Sequence, residues 1–282
     1  MIELLSIGSG LSLQDAGRAG WRRFGVPPGG ALDAASMVLA NQLLGNRADA
    51  PVLEVALQGA CIVVHEPIWL ALAGGDFCAS LAAPAARQFH AGDILTFDQT
   101  APGRYAYLAV PGGFAADDWF SSVATDLRNG MGQALKKGTR LRALRATPDV
   151  STERVACRRP RDAPKALPRG DAHFKLFRGP QYAAFSAAAR QALVETEWTL
   201  SLQSDRTGYR LEGAALPVPP SIPSEPVLAG SFQVPGRGAP IVTMPDGPTV
   251  GGYAKLAVLR EADLGTFAQC PPQTRLHFSW ID

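Results

Sequence analysis

The sequence predicts a mainly β protein built as two halves, with a few short helices. Three observations lead there. Glycine (29) and proline (23) are frequent in a chain of 282 residues, which favours turns and short strands over long helices. From Val52 onward, short apolar runs alternate with Gln-Gly, Glu-Pro and Gly-Gly-Asp turns. A polar segment, Gln203-Ser204-Asp205-Arg206-Thr207-Gly208-Tyr209-Arg210-Leu211, has a weaker copy at Gln14-Asp15-Ala16-Gly17-Arg18-Ala19-Gly20-Trp21-Arg22. Both read Gln, Asp, Arg-x-Gly, aromatic, Arg, and their Gln-to-Gly spacing differs by one residue. So dense a set of polar groups is costly to bury unless its charges face each other or a ligand. A polar site is therefore expected where these loops present their charges.

Residues 2 to 13 read as a strand and turn, followed by the first polar loop. Two prolines and two glycines in Val26-Pro27-Pro28-Gly29-Gly30 make a rigid loop. Asp33 is a helix N-cap, and the helix is expected over 34–44, with Val38, Leu39, Leu43 and Leu44 near one face and Gly45-Asn46 as its stop. Strands are expected over 52–56, 61–65, 68–73, 77–81 and 105–110, with turn-plus-strand patterns over 89–97, 135–144 and 269–280. Many short strands with one helix suggest a closed β-barrel-like domain over residues 1–145. Residues 146–172 are rich in proline and arginine and poor in large apolar residues, so they read as a linker. The second domain, 173–282, opens with a strand over 174–177 and an alanine-rich helix over 181–194. Further strands are expected over 198–202, 227–234, 240–244, 256–259 and 275–280.

Composition excludes several classes. A formal charge of +2 argues against nucleic acid as a partner. No basic-then-apolar leader opens the chain, and no apolar run approaches the ~20 residues of a membrane span. A cytoplasmic protein without a membrane partner is expected. The cysteines Cys61, Cys78, Cys157 and Cys270 are far apart, with no metal or redox spacing; Cys61 and Cys78 read as buried core thiols. The histidines His65, His90, His173 and His277 are isolated, and no Walker, G-x-S-x-G or H-E-x-x-H motif is present. No metal site is expected.

Chemistry concentrates in three loops of the second half: Gln203 to Arg210, Ser224-Glu225 with Gln233, and Asp246 to Lys255. Arg206 suits a bidentate oxyanion contact. Lys255, after a Gly-Gly-Tyr turn, is expected to reach out and neutralise developing negative charge. Asp205 can accept a proton or orient the lysine. Together they would hold a carboxylated or phosphorylated small molecule. The alternative is an Asp205–Arg206 or Asp205–Arg210 pair that only fixes a loop.

Several blocks, in order, carry a family resemblance. They are Gln14-Asp15-Ala16-Gly17-Arg18, Gly25-Val26-Pro27-Pro28-Gly29-Gly30-Ala31-Leu32-Asp33, Leu53-Glu54, the Gln203–Leu211 segment, Gly230-Ser231-Phe232-Gln233-Val234-Pro235 and Gly251-Gly252-Tyr253-Ala254-Lys255. The chain resembles the biotin-dependent carboxyltransferase family, which includes allophanate hydrolase subunit 2, the C subunit of 5-oxoprolinase, the KipA-type antagonists and the carboxyltransferase domain of urea carboxylase. The resemblance implies two tandem cyclophilin-like β-barrel domains. It implies a subunit of an ATP-dependent 5-oxoprolinase-type complex, converting 5-oxoproline to glutamate. The implied partner is a subunit-1-like protein, of the type of KipI or the B subunit of 5-oxoprolinase. A KipA-like regulatory binding protein and a carboxyltransferase acting on carboxybiotin and a urea-like acceptor are the alternatives. ATP is the implied cofactor, and any biotin would be carried by a separate protein. Lys255 and Asp205 are then the catalytic candidates, with Arg206, Tyr209, Gln203, Gln233, Tyr253, Gln14 and Arg18 binding the substrate.

The sequence departs from the family pattern in three places. Gly29 stands where a serine is usual. Ser121-Ser122-Val123-Ala124-Thr125 lacks the arginine of a Gly-Ser-Arg-Ser-Thr block. Asp246-Gly247-Pro248-Thr249-Val250-Gly251-Gly252-Tyr253-Ala254-Lys255 lacks an arginine, a glutamine and a proline. Each lost guanidinium removes a charged contact worth roughly 1.5–3 kcal/mol.

Overall fold

The computed structural model describes residues 1–146, 157–161 and 166–281. The chain divides into two compact units: Met1–Arg18 with Gly29–Leu167, and Ala19–Pro28 with Pro168–Asp282. Much of the segment read as a linker, residues 147–156 and 162–165, lies outside the described residues. Within it, Cys157 and Arg158 form a short strand.

The first unit holds β1 (Ile2–Ile7), β2 (Leu11–Gln14), α1 (Ala34–Leu43), β3 (Val52–Ala56), β4 (Ala60–Val64), β5 (Ile68–Gly74), β6 (Ala85–Phe89), β7 (Ile94–Phe97), β8 (Tyr105–Ala109), β9 (Arg140–Leu141) and β10 (Cys157–Arg158). They sort into a four-stranded sheet, β7-β4-β1-β9, and a six-stranded sheet, β10-β6-β5-β8-β3-β2. One apolar core is shared by both: Ile2, Leu4, Ile62 and Val64 come from the first, and Leu53, Val55, Leu70, Leu72 and Leu108 from the second. Alternating burial along β4 is the period-two pattern of a strand with one face on a core. In contrast, β5 and β8 are buried almost throughout.

The cap of α1 is the expected one: Asp33 Oδ1 accepts from the Ser36 N–H at 3.1 Å. Its buried face differs from the one expected. Met37, Ala40, Asn41 and Leu43 are buried, whereas Val38 and Leu39 are only partly covered. Asn41 belongs inside because its amide donates to Ala50 O at 2.9 Å and its carbonyl accepts from Asn46 Nδ2 at 2.9 Å.

Residues 77–81, read as a strand, are not one. Phe77, Cys78 and Leu81 are buried in the core, but the loop closes on itself through Ala83 N–H donating to Asp76 Oδ1 at 2.7 Å. The strand lies instead at β6, which pairs with β5. Cys78 and Cys270 are buried and Cys61 partly so, and all four cysteines are free thiols.

The second unit holds β11 (Asp171–Arg178), α2 (Ala187–Glu195), β12 (Trp198–Leu200), β13 (Gly208–Glu212), β14 (Glu225–Pro226), β15 (Ser231–Gln233), β16 (Ile241–Thr243), β17 (Val250–Gly251), β18 (Lys255–Leu259), α3 (Leu264–Ala268) and β19 (Arg275–Trp280). Seven strands close a barrel in the order β11-β18-β15-β16-β13-β12-β19, and β14 and β17 form a separate ribbon. Closure leaves no strand edge unpaired. Ala172, Phe174 and Leu176 alternate inward along β11 and meet a core that includes Leu200, Leu211, Phe232, Leu256 and Phe267. Ser186 caps α2, accepting from Ala189 N–H at 3.2 Å. The Trp198 indole N–H donates to Leu193 O at 2.9 Å near the C-terminal end of that helix.

Trp198→Phe keeps the apolar ring but leaves this carbonyl without its donor. A loss of about 1–3 kcal/mol is expected, read as a lower urea midpoint with an unchanged slope. An unchanged midpoint would show that the bond contributes nothing.

Candidate functional site

In the second unit, Lys255 opens β18 beside Gln233 of β15. Its side chain is 3% exposed, and Nζ lies 2.5 Å from Glu225 Oε1. The amine therefore does not reach out to solvent as the sequence suggested. A glutamine holds the pair from both ends. Gln181 Oε1 accepts the Lys255 backbone N–H at 3.0 Å, and Gln181 Nε2 donates to Glu225 Oε1 at 2.8 Å. The Lys255 ammonium, and next the Gln181 amide, keep the Glu225 carboxyl below the ordinary glutamate range.

Glycines make this closeness possible. A Cβ on Gly251 would stand 2.8 Å from Gln233 Nε2, and one on Gly252 would stand 3.0 Å from Ile222 O. Gly179 lies so tightly against the Lys255 backbone that a Cβ there would overlap it. The Gly-Gly-Tyr turn thus fits the β14–β17 ribbon against Gln233, with Glu225 opposite Gly251 in register. Tyr253 is half-exposed and lines a cavity of about 290 Å³ with Val218, Pro219, Val234 and Ala254.

The other predicted residues of this unit take separate places. Asp205 is exposed, and its Oδ1 accepts from Thr207 N–H at 2.8 Å and Gly208 N–H at 3.2 Å. It therefore shapes its own turn. Arg206 pairs bidentately with Asp246, Nε to Oδ2 at 2.7 Å and Nη2 to Oδ1 at 2.9 Å. That is neither of the pairs anticipated, Asp205–Arg206 or Asp205–Arg210. Gly247 follows directly: a Cβ there would stand 2.7 Å from Thr207 O, so the missing family arginine coincides with a turn too tight for a side chain. Tyr209 is fully buried and its hydroxyl donates to Ala268 O at 2.7 Å, inside the barrel. Gln203 is exposed, and Gln233 is buried against Gly251.

In the first unit, Gln14, Asp15 and Arg18 are buried. Asp15 Oδ1 accepts from Gly17 N–H at 2.8 Å, the same two-residue turn that Asp205 makes, so the two polar copies share local geometry. Asp15 also accepts from the Ser122 hydroxyl at 2.6 Å and Val123 N–H at 2.8 Å. Arg18 Nε donates to Trp119 O at 3.1 Å and its Nη2 to Ala124 O. Gln14 Nε2 donates to Thr125 O at 3.2 Å. This loop therefore clamps the segment that lacks the family arginine. Gly30, at φ +86°, closes the other side, since a Cβ there would stand 2.9 Å from Gly17 N. Among the described residues, no group of three or more His, Cys, Asp and Glu side chains could hold a metal ion, and no helix is long and apolar enough to cross a membrane.

Sequence reading singled out Glu225 as part of a polar loop but not as the partner of Lys255, and it missed Gln181 altogether. Gln181 opens the alanine-rich stretch 181–194 that reads as plain helix, whereas the helix begins only at Ala187, and 74 positions separate Gln181 from Lys255.

Residues 24–280 match the family model "Carboxyltransferase domain, subdomain A and B". The chain belongs to this carboxyltransferase family. It is 35% identical to the C subunit of 5-oxoprolinase from Escherichia coli, over 99% of this chain and 90% of that protein. The crystal structure of TTHA0988 superposes with a TM-score of 0.88 at 31% identity, covering 99% of this chain. That of Kluyveromyces lactis urea carboxylase superposes with a TM-score of 0.87 at 28% identity, covering all of this chain. The chain spans 55% of the solved TTHA0988 chain and 27% of the urea carboxylase chain. These family members share the mainly β fold.

The depressed Glu225 carboxyl makes the pair pH-dependent with a definite sign. A folded-state pKa below the unfolded one gives stability that is present above the unfolded value and lost as pH falls through the folded one. The difference in thermal midpoint between the parent protein and Glu225→Gln should therefore hold steady above the ordinary glutamate range and close below it. A difference that does not change with pH would contradict the assignment.

Proposed function

We propose that the chain is a subunit of a 5-oxoprolinase-type complex that opens the lactam of 5-oxoproline to give glutamate, with ATP consumed. The likeness to the C subunits of two bacterial 5-oxoprolinases, over nearly the full length of both chains, supports the reaction class. The observation that carries the reading is the sequestered Lys255 ammonium. Among the described residues its charge is balanced by one carboxylate, that of Glu225, which is itself 38% exposed. An anionic substrate, or an oxyanion forming on the ring carbonyl, can take the place of Glu225 on Nζ and receive a charge-assisted hydrogen bond in a poorly solvated setting. Gln181 keeps the Lys255 backbone in place during that exchange. Asp205, Arg206, Tyr209 and Gln203 act in this reading by shaping loops of the second unit, Gln14 and Arg18 by holding a loop of the first unit, and Tyr253 and Gln233 stand nearest to a bound substrate.

A triphosphate does not fit the residues of this site. Lys255 offers it a single ammonium, and Arg206 is held bidentately by Asp246. ATP is therefore proposed to bind on other subunits, which supply the activated substrate. Relatives named as one lettered subunit of 5-oxoprolinase imply such partners. The specific partner proposed is a protein of the type of KipI or the B subunit of 5-oxoprolinase. Carboxyl transfer from carboxybiotin to a urea-like acceptor is the second reading, favoured by the superposition on urea carboxylase over the whole chain. Biotin would then arrive on a separate protein.

In the complex reconstituted with its partner subunits, Lys255→Ala should lower ATP-dependent glutamate release at least ~100-fold, as the loss of one oxyanion donor does. Release at the parental rate would remove Lys255 from the reaction. Carboxylation of urea by the same preparation, without glutamate release, would favour the second reading.

A further inference from the structure

Strand β9 sends its side chains two ways. Leu141 is buried in the core of the first unit. Its neighbours Arg140 and Arg142 are exposed, as alternation along an extended chain requires. The chain remains tethered at 142, where the carbonyl accepts Ala115 N–H at 2.9 Å. Beside it lies a cavity of about 420 Å³, lined by Arg140, Arg142, Trp119, Asp117, Gln133 and Gly132 among others. That size falls in the range of small-molecule sites, ~300–1,000 Å³.

The lining is prepared for an anion. Arg140 donates its Nε–H to Glu3 Oε2 at 2.9 Å, which orients the guanidinium and leaves both Nη groups available. Arg142 makes no ion pair among the described residues. Trp119 is 44% exposed beside these charges. The turn that presents it places Phe120 (φ 59°) and Ser121 (φ 63°) in the left-handed region, and is closed by Trp119 N–H donating to Ser122 O at 2.7 Å. Two successive non-glycine residues in that region carry strain of the kind found at ligand sites. Gly132 is packed so closely on Thr125 that a Cβ would come within 2.6 Å of its Cα, which keeps that wall fixed.

We propose that this cavity binds a small oxyanion-bearing molecule, a carboxylate or a phosphate. Arg140 and Arg142 hold the oxyanion, the body of the ligand lies against the Trp119 ring, and Asp117 and Gln133 meet a donor at its other end. The proposal uses only residues of the first unit and does not rest on the function proposed for Lys255.

The test is calorimetric titration of the full chain with inorganic phosphate and, separately, with L-glutamate, with tryptophan fluorescence read in parallel. Saturable binding of at least one probe below about 10 mM is expected, weakened about tenfold or more in Arg142→Gln. Arg142 is exposed and unpaired, so that variant should keep the parental thermal midpoint, whereas Arg140→Gln also breaks the contact to Glu3. Binding of phosphate alone would identify phosphate esters as the ligand class, and binding of glutamate alone would identify carboxylates. No saturable binding of either probe, or undiminished binding by Arg142→Gln, would overturn the proposal.

Discussion

A lysine ammonium taken out of water must keep a counter-charge, and the second unit is arranged around that requirement. Lys255 and Glu225 come from β18 and from the β14–β17 ribbon, which is not part of the barrel. They meet only because Gly251 and Gly252 let the ribbon lie against Gln233, and because Gln181 hydrogen-bonds to both. A side chain at either glycine would push the carboxylate away from the ammonium. An unpaired buried charge is then the cost, and it is far larger than that of a missing surface contact.

The first unit holds its buried polar groups on backbone and hydroxyl partners. The Arg18 guanidinium is buried against the carbonyls of Trp119 and Ala124, and Asp15 is buried on the hydroxyl of Ser122 and the N–H groups of Gly17 and Val123. These groups hold one loop to another and are already engaged. Chemistry that needs a charge to change partners is better served by the Lys255–Glu225 pair, where the carboxylate is in part open to water.

Strand content and the α1 cap could be read from local pattern. Asp33 before Ala34, and the Gly-Pro-rich turns between apolar runs, act over a few residues and so leave a local trace. The family blocks were legible for the same reason: Gly251-Gly252 marks a close backbone approach whatever it approaches. Phe77–Leu81 misled because apolar residues report burial, and a buried loop closed by Asp76 has the composition of a strand. Partner choice was the least legible. Arg206 bypasses the adjacent Asp205 for Asp246, and Lys255 takes Glu225, pairings 40 and 30 positions apart that only the folded loops decide. Tyr209 looked like a substrate contact by its company, yet strand alternation in β13 turns it inward to Ala268.

The central claim is that Lys255 and Glu225 act as one unit. A double-mutant cycle in the reconstituted complex, using Lys255→Ala, Glu225→Ala and the pair, measures this most directly. If the account holds, the double variant should lose about as much kcat/KM as Lys255→Ala alone, since the carboxylate has nothing left to position. Losses that simply add would show two independent contributions and would contradict it.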